Sequence, residues 1–365
     1  MNNSLFLDGD LAEIVARLPP EVMNLAGKRV LIAGGAGFLG RYFLAVFKKL
    51  NEEVLDQPCK VCMLDNFRVA DPKLLDELGD WGELVHADIC RDPLPDGEFD
   101  WFIHAAGIAS PFYYRAYPLE TLEVATVGTQ RLLECAKNSN ARFVYFSSSE
   151  IYGDPDPGHV PTMESYRGNV STLGPRACYD EGKRVGETYC YIYHDYFGVH
   201  TNIIRPFNVY GPGMQKSDYR VMPNFAAQIA AGDPLMIYGD GRQTRTFCYI
   251  VDAMVGFFRI VLKGVLGEAY NIGNPNPEVS MNILADTFKS MSPVDVSMQM
   301  TEYPDSYPAD EPMRRCPDIR KAELQLDFRP TVGLEDGVRR FLSWSIPRYR
   351  SELASSSWSW GKQRP

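Results

Sequence analysis

Tyr179 and Lys183 stand four residues apart in the run Tyr-Asp-Glu-Gly-Lys. On a helix that spacing puts both side chains on one face, one turn apart. An ammonium beside a phenol favours the phenolate, so the pair predicts a tyrosine that acts as a base near neutral pH. Upstream, Ser147-Ser148-Ser149-Glu150 supplies hydroxyls and a carboxylate directly after the apolar run 142–146, which reads as a strand. A carboxylate in such a loop can handle a proton at a carbon next to a ketone. Tyr-x-x-x-Lys alone is weak, since about one chance match is expected among 20 tyrosines. Its weight comes from position, one loop after the serines.

A second constellation lies near the N-terminus. Gly34-Gly35-Ala36-Gly37-Phe38-Leu39-Gly40 follows the apolar run 28–33 and precedes a helical pattern reaching about Leu50. Strand, glycine loop and helix are the context in which such a motif binds a dinucleotide. Gly34, Gly37 and Gly40 let backbone amides approach a pyrophosphate at the helix N-terminus. Asp65 closes the next strand, where an acid binds the adenosine ribose hydroxyls and disfavours a 2′-phosphate. The expected cofactor is therefore NAD rather than NADP. Arg41 and Arg68 are the residues placed to greet a 2′-phosphate, and they weigh less than Asp65.

These residues need a frame to position them. Apolar strands are expected at 28–33, 60–65, 83–87, 99–104, 142–147 and 200–205, with helices near 119–139 and 179–197. Alternating strand and helix predicts an α/β fold with a doubly wound parallel sheet, so 28–205 is read as an NAD-binding domain of the Rossmann type. After Arg205, prolines punctuate short elements. Residues 206–345 are expected to form mainly a smaller C-terminal substrate lobe over the carboxyl edge of the sheet, with some segments returning to the first domain. Residues 1–27 read as an N-terminal arm with a helix over 10–18, stopped by Pro19-Pro20. Residues 346–365, rich in serine, read as a mobile tail that includes Trp358 and Trp360.

The 365-residue chain is 45% hydrophobic, enough for a full core. Its net charge of -10 argues against nucleic-acid or anionic-membrane partners. No apolar run approaches the roughly 20 residues of a membrane span. The first ten residues lack the basic and apolar regions of a signal peptide. Eight cysteines in a chain this long do not make a disulfide framework. The expected location is cytoplasmic, with reduced thiols. Cys59, Cys62, His86 and Cys90 do not follow a zinc spacing, so no metal is expected.

The motifs together resemble the extended short-chain dehydrogenase/reductase family of nucleotide-sugar epimerases and dehydratases, over residues 28 to about 343. Ser149-Glu150-Ile151-Tyr152-Gly153-Asp154-Pro155, Ala109-Ser110-Pro111 with Tyr114, and Arg176 to Arg184 carry the likeness. So do Phe207-Asn208-x-Tyr210-Gly211-Pro212, Tyr238-Gly239-Asp240-Gly241-x-Gln243-Thr244-Arg245 and Asp310-Glu311-Pro312-x-x-Arg315-x-Pro317. Within the family the pattern is most similar to the UDP-glucuronate decarboxylase branch. The 4,6-dehydratases usually have Asp-Glu at Ser149-Glu150, and the 4-epimerases a small residue at Glu150.

The resemblance implies a nucleotide-sugar substrate and a cycle of C4 oxidation, loss of CO2 and re-reduction, which would yield UDP-xylose. Tyr179, Lys183, Ser148, Ser149, Glu150 and Arg315 are its catalytic set, with Arg315 rather than Arg314 facing the substrate carboxylate. It adds Phe38, Leu39, Asn66, Asp88, Ile89 and Ala105 to the cofactor contacts, and makes Ser110, Pro111, Tyr114, Asn208 and Arg245 substrate contacts. It also implies a homodimer built from the helices near 119–139 and 179–197, where Tyr189, Tyr191, Ile192 and Tyr193 are apolar residues in excess. A 4-epimerase, 4,6-dehydratase or 4-oxidase on another nucleotide sugar stays open. A non-catalytic NAD sensor of the same fold would be expected to lose Tyr179 or Lys183, and both are present. The chain departs from the family at Ala125, Gly107-Ile108, Arg167, the N-terminal arm and the insert Val69–Leu78, most of them around the pocket.

Overall fold

The computed structural model describes residues 4–79, 81–303 and 312–355. Seven parallel strands form the central sheet: β1 (Arg29–Ala33), β2 (Lys60–Asp65), β3 (Glu83–His86), β4 (Trp101–His104), β5 (Arg142–Phe146), β6 (His200–Pro206) and β7 (Ala269–Ile272). Their order across the sheet is β7-β6-β5-β4-β1-β2-β3. Leu31 pairs with Cys62 on one side and Phe102 on the other. The strand order reverses between β1 and β4, and a crevice opens there at the carboxyl ends of the strands.

Side-chain alternation explains why the central strands have apolar interiors. Val30 and Ile32 join one core layer, while Leu31 and Ala33 join the other. Val144 and Phe146 on β5 split from Phe143 and Tyr145 in the same way. Both faces are covered, as a parallel sheet requires. The covering helices are α1 (Asp8–Ala16), α2 (Phe38–Glu53), α3 (Pro111–Ala116), α4 (Pro118–Glu123), α5 (Thr129–Asn138), α6 (Ala177–Phe197) and α7 (Leu334–Ser355), with Ile250–Lys263. A π-helical turn at Val124–Gly128 joins α4 to α5, so the single helix expected over 119–139 is three segments.

The N-terminal arm belongs to the core. Its helix starts at Asp8, two positions ahead of the expected 10, with Asp8 and Asp10 in the first turn where acids complement the helix dipole. Leu5, Phe6, Ile14, Val22 and Leu25 are buried. Asp10 accepts hydrogen bonds from Tyr249 at 2.5 Å and Arg340 at 3.2 Å. Arg17 pairs with Asp252 at 2.7 Å.

The expected boundary at 345/346 falls inside α7. Ile346 and Tyr349 are buried because they continue the apolar stripe of Phe341 and Leu342, and Tyr349 donates to the Met214 carbonyl at 2.7 Å. Residues 346–355 are therefore ordered helix rather than tail. Trp358, Trp360, Asp310 and Glu311 lie outside the described residues. In the C-terminal lobe, Thr244–Arg245 pairs in parallel with Arg314–Arg315 and antiparallel with Val279–Ser280.

Candidate active site

A cavity of about 880 Å³ runs along the crevice from the glycine loop to the C-terminal lobe. Every residue that the sequence nominated for catalysis, cofactor or substrate borders it: Gly34, Gly37, Phe38, Leu39, Gly40, Asp65, Asn66, Asp88, Ile89 and Ala105 at one end, Ser148, Ser149, Glu150, Tyr179 and Lys183 in the middle, and Ser110, Pro111, Tyr114, Asn208, Arg245 and Arg315 at the other.

The glycine loop is packed for close approach. Gly34 has φ +81°, and a Cβ there would meet the Ala106 backbone at 2.5 Å. A Cβ on Gly40 would meet the Gly34 carbonyl at 2.2 Å. Gly37 begins α2 with no side-chain cap, so the first amides of the helix face the cavity without an internal acceptor from a side chain. This is a ready anion site and fits the pyrophosphate of a dinucleotide.

Asp65 accepts from the Ala36 amide at 3.0 Å and the Phe67 amide at 2.8 Å. Burial pushes its carboxyl up, and those amides pull it back. Arg41 is turned away, with its guanidinium buried on the carbonyls of Ala36 and Gly213 at 2.6 Å each. It is thereby removed as a 2′-phosphate partner. Arg68 pairs with Glu120 at 3.4 Å.

Tyr179 and Lys183 share the inner face of α6, both buried. Tyr179 stacks on Tyr114, ring centroids 5.6 Å apart at 16°. The Lys183 ammonium donates to the Phe146 carbonyl at 2.6 Å and sits 5.9 Å from the Tyr179 ring centroid. Burial pushes the Tyr179 phenol up to about 12, against a hydrogen bond with Ser148 that lowers it. Burial also lowers Lys183 to about 8. In this arrangement desolvation of the phenolate outweighs the groups that lower it.

Ser148 caps the short turn Ser149–Tyr152 by accepting from the Glu150 amide at 3.2 Å. That turn aims Glu150 at the C-terminal lobe. Arg315 grips it with two parallel bonds, Nη1 to Oε1 and Nη2 to Oε2, each 2.6 Å. Arg176 Nη2 donates to the same Oε2. Burial alone would raise the Glu150 carboxyl. Arg176, Arg315 and Arg245 outweigh it and hold the group at about 2. Glu150 is thus a fixed carboxylate here, and its expected part in handling a proton requires one of these guanidiniums to withdraw first.

Strand alternation separates the neighbouring arginines. Arg314 points outward to Glu278 at 2.9 and 2.7 Å, while Arg315 points inward and is buried. Arg245, the register partner of Arg315, donates to the carbonyls of Thr244 at 2.8 Å and Met313 at 3.3 Å. Asn208 donates to the Thr246 carbonyl at 2.8 Å, and Ser110 donates to the Asp218 carbonyl at 2.6 Å, tying the Ser-Pro loop to the far lobe.

Three members of the site carried no role in the sequence reading. Arg176 stood in a quoted motif without an assignment, and its i,i+4 spacing to Asp180 was the available signal. Arg220 lines the cavity on a bidentate pair with Asp218. Tyr219, at φ 63°, packs on Phe112 with ring centroids 4.4 Å apart. Among the described residues no three His, Cys, Asp or Glu side chains gather as metal ligands.

Comparison with known proteins agrees with this geometry. The model of the NAD dependent epimerase/dehydratase family matches residues 30–273. UDP-glucuronic acid decarboxylase 1 of Xenopus tropicalis is 38% identical over 96% of this chain and 83% of its own. UDP-glucuronic acid decarboxylase 6 of Arabidopsis thaliana is 38% identical over 85% of this chain and 86% of its own. Among solved structures, the dTDP-glucose 4,6-dehydratase of Streptomyces venezuelae with NAD bound superposes with TM-score 0.73 at 26% identity, covering 90% of this chain and 99% of that one. The UDP-glucuronic acid 4-epimerase of Bacillus cereus, in complex with UDP-glucuronic acid and NAD, gives 0.72 at 26%, covering 88% and 99%. With a matching family model over most of its length, a glycine loop that fits a dinucleotide, and relatives at this identity, the chain belongs to the NAD dependent epimerase/dehydratase family.

Proposed function

We propose that this protein is an NAD-dependent UDP-glucuronate decarboxylase that forms UDP-xylose. The observation that carries the reading is the Arg315–Glu150 pair beside Tyr179, an orientable cation next to the sugar-oxidising group. The decarboxylase relatives, at 38% identity over most of the chain, support it.

NAD, when bound along the glycine loop, supplies a hydride acceptor that is returned to its starting state each turn. The chain's residues do the rest. Gly34, Gly37 and Gly40 with the first amides of α2 hold the pyrophosphate, and Asp65 holds the ribose hydroxyls. Asn66, Asp88, Ile89 and Ala105 line the adenosine and nicotinamide path. Tyr179 takes the C4 hydroxyl proton while Ser148 binds the C4 oxygen. Lys183 orients the nicotinamide ribose. The resulting ketone lies β to the C6 carboxylate, so CO2 departs and leaves an enolate. Arg315 turns the carboxylate out of the enolate plane, and Glu150 with Ser149 manages the proton at C5. Ser110, Pro111, Tyr114, Asn208 and Arg245 bind the nucleotide sugar. Residues 28–205 serve the cofactor in this reading, and most of 206–345 serves the sugar nucleotide.

The reading extends to a cytoplasmic homodimer. All eight cysteines are unpaired, as suits a reducing compartment. No helix among the described residues is long and apolar enough to cross a membrane. Tyr193 is buried and Tyr189 packs on the core of the protomer, so these two leave the set offered for the interface. Leu119, Leu122, Val127, Val185, Tyr191 and Tyr196 remain exposed on α4, the π-helical turn and α6, and supply the apolar face a second copy would cover.

Incubation with UDP-glucuronate, followed by mass analysis, tests the activity. Loss of CO2 with formation of a UDP-pentose is expected. A product of unchanged mass would make the protein an epimerase, and no consumption would move it to another nucleotide sugar.

A further inference from the structure

The fork between Glu150 and Arg315 must open when a substrate carboxylate takes the place of Glu150. From then on it no longer ties the two segments together. A buried polar link joins them a second time. Asn271, on β7, is fully buried. Its Oδ1 accepts from the Tyr152 hydroxyl at 2.7 Å, and Tyr152 ends the turn that carries Glu150. Its Nδ2 donates to the Thr162 carbonyl at 2.9 Å and to the Asp318 carbonyl at 3.1 Å, in the segment that follows Arg315. Two carbonyls take both amide hydrogens and the oxygen takes the hydroxyl, which fixes the orientation of the amide. The Thr162 carbonyl also accepts from the Asp318 amide at 2.9 Å, and the Thr162 amide donates to the Cys316 carbonyl at 2.9 Å.

The Glu150 side of the link is braced on the sheet and on α6. The Ser147 hydroxyl donates to Glu187 at 2.5 Å. Arg205, the register partner of Asn271, pairs with Glu187 at 2.9 and 2.6 Å and donates to the Tyr152 hydroxyl at 2.7 Å. A further bond between the two segments, from the Met313 amide to Asp154 Oδ1 at 3.0 Å, lies at the surface, where water can replace it.

We propose that Asn271 is a positioning residue for the decarboxylation step: by bonding Tyr152 on one side and the Thr162 and Asp318 carbonyls on the other, it fixes Arg315 relative to the Glu150 turn once a substrate carboxylate has parted them. Neither Asn271 nor Tyr152 lines the cavity, so both act through the segments they join. Tyr179 and Lys183 are held by α6 and the Phe146 carbonyl, outside this link. Hydride transfer at C4 therefore survives its loss, while the orientation of the carboxylate does not. A displacement of about 1 Å at Arg315 is enough to slow the dependent step about 10²-fold. The inference rests on the reading that Arg315 receives the uronate carboxylate.

The test compares two rates with UDP-glucuronate in the wild-type protein, Asn271→Ser and Tyr152→Phe: reduction of bound NAD in a single turnover, read at the NADH absorbance, and release of CO2. Serine is too short to bond both sides. In N271S, CO2 release should fall about 10²-fold and NADH should accumulate, with NAD reduction within about twofold of wild type. Y152F removes only the bond on the turn side and leaves Arg205 on Glu187 and the Glu164 carbonyl. It should show the same split at about tenfold. A folded variant in which the two rates keep their wild-type ratio overturns the proposal, because a purely structural role would move them together. If N271S does not fold, Y152F decides alone. If the wild type releases no CO2 from UDP-glucuronate, the functional reading fails separately, and calorimetric affinities decide for Asn271. Both variants should then weaken UDP-glucuronate about tenfold and leave UDP-glucose, which lacks the carboxylate, unchanged; any other pattern counts against the proposal.

Discussion

Arg315 and Glu150, from opposite lobes of the molecule, meet in a two-bond fork of 2.6 Å on each arm. This fork closes the carboxylate end of the cavity, with Arg176 reinforcing Glu150 from α6. Fork geometry of this kind fits any carboxylate, so an incoming uronate can replace Glu150 on Arg315 without rebuilding the guanidinium.

The first prediction concerns the steps that the fork serves. With UDP-glucuronate, Arg315→Ala and Glu150→Gln should still reduce NAD slowly, seen at the NADH absorbance, and release little pentose product. Unchanged CO2 release in both variants would refute these roles.

A stability difference accompanies the kinetic one. Removing Arg315 leaves Glu150 with Arg176. Removing the Glu150 charge leaves two buried guanidiniums facing one another, so E150Q should lose about 3 kcal/mol or more, and R315A less. Glu150 is held at about 2, below its ordinary 4.5. Its contribution is therefore complete above about pH 4.5 and is lost as pH falls towards about 2. Denaturant melts of wild type and E150Q should differ fully at neutral pH and converge in acid. A gap that widens in acid would contradict the sign.

Tyr179→Phe should keep the fold, since the ring still stacks on Tyr114. Turnover should fall by about 10³-fold or more, because the proton acceptor is gone. Substantial activity at neutral pH would remove Tyr179 from its role.

Asp65→Asn tests the cofactor end. The Ala36 and Phe67 amides bond different oxygens of Asp65, so the single Asn oxygen can keep only one of them and the loop should loosen at the other. Loss of the carboxylate should weaken NAD and narrow its advantage over NADP by about tenfold, read by calorimetric titration with each. An unchanged ratio would mean that discrimination lies elsewhere.

Val185→Asp tests the interface. A charge at this exposed α6 position, buried on dimer formation, should convert a dimer to a monomer in sedimentation at micromolar concentration. A wild-type protein that is monomeric there would end the homodimer reading.

The sequence by itself determined the parallel sheet, because strands covered on both faces must be apolar through their interior positions, and β1, β2 and β5 are so between their charged ends. It determined the glycine loop, since only glycine fits where Gly34 and Gly40 meet backbone. It placed Tyr179 and Lys183 on one helix face by spacing alone. What it could not decide were relations set by contacts distant along the chain. Glu150 and Arg315 are joined only by the folding of the C-terminal lobe over the sheet, and that contact holds Glu150 as a carboxylate until a guanidinium withdraws. Spacing brought Lys183 near Tyr179 but did not show that its ammonium also donates to the Phe146 carbonyl. Arg41 looked like a phosphate partner until burial tied it to Gly213. The apparent tail up to Ser355 proved to be helix because Ile346 and Tyr349 found a core to join. In each case the local sequence offered a group, and desolvation and partners from elsewhere in the chain set its state.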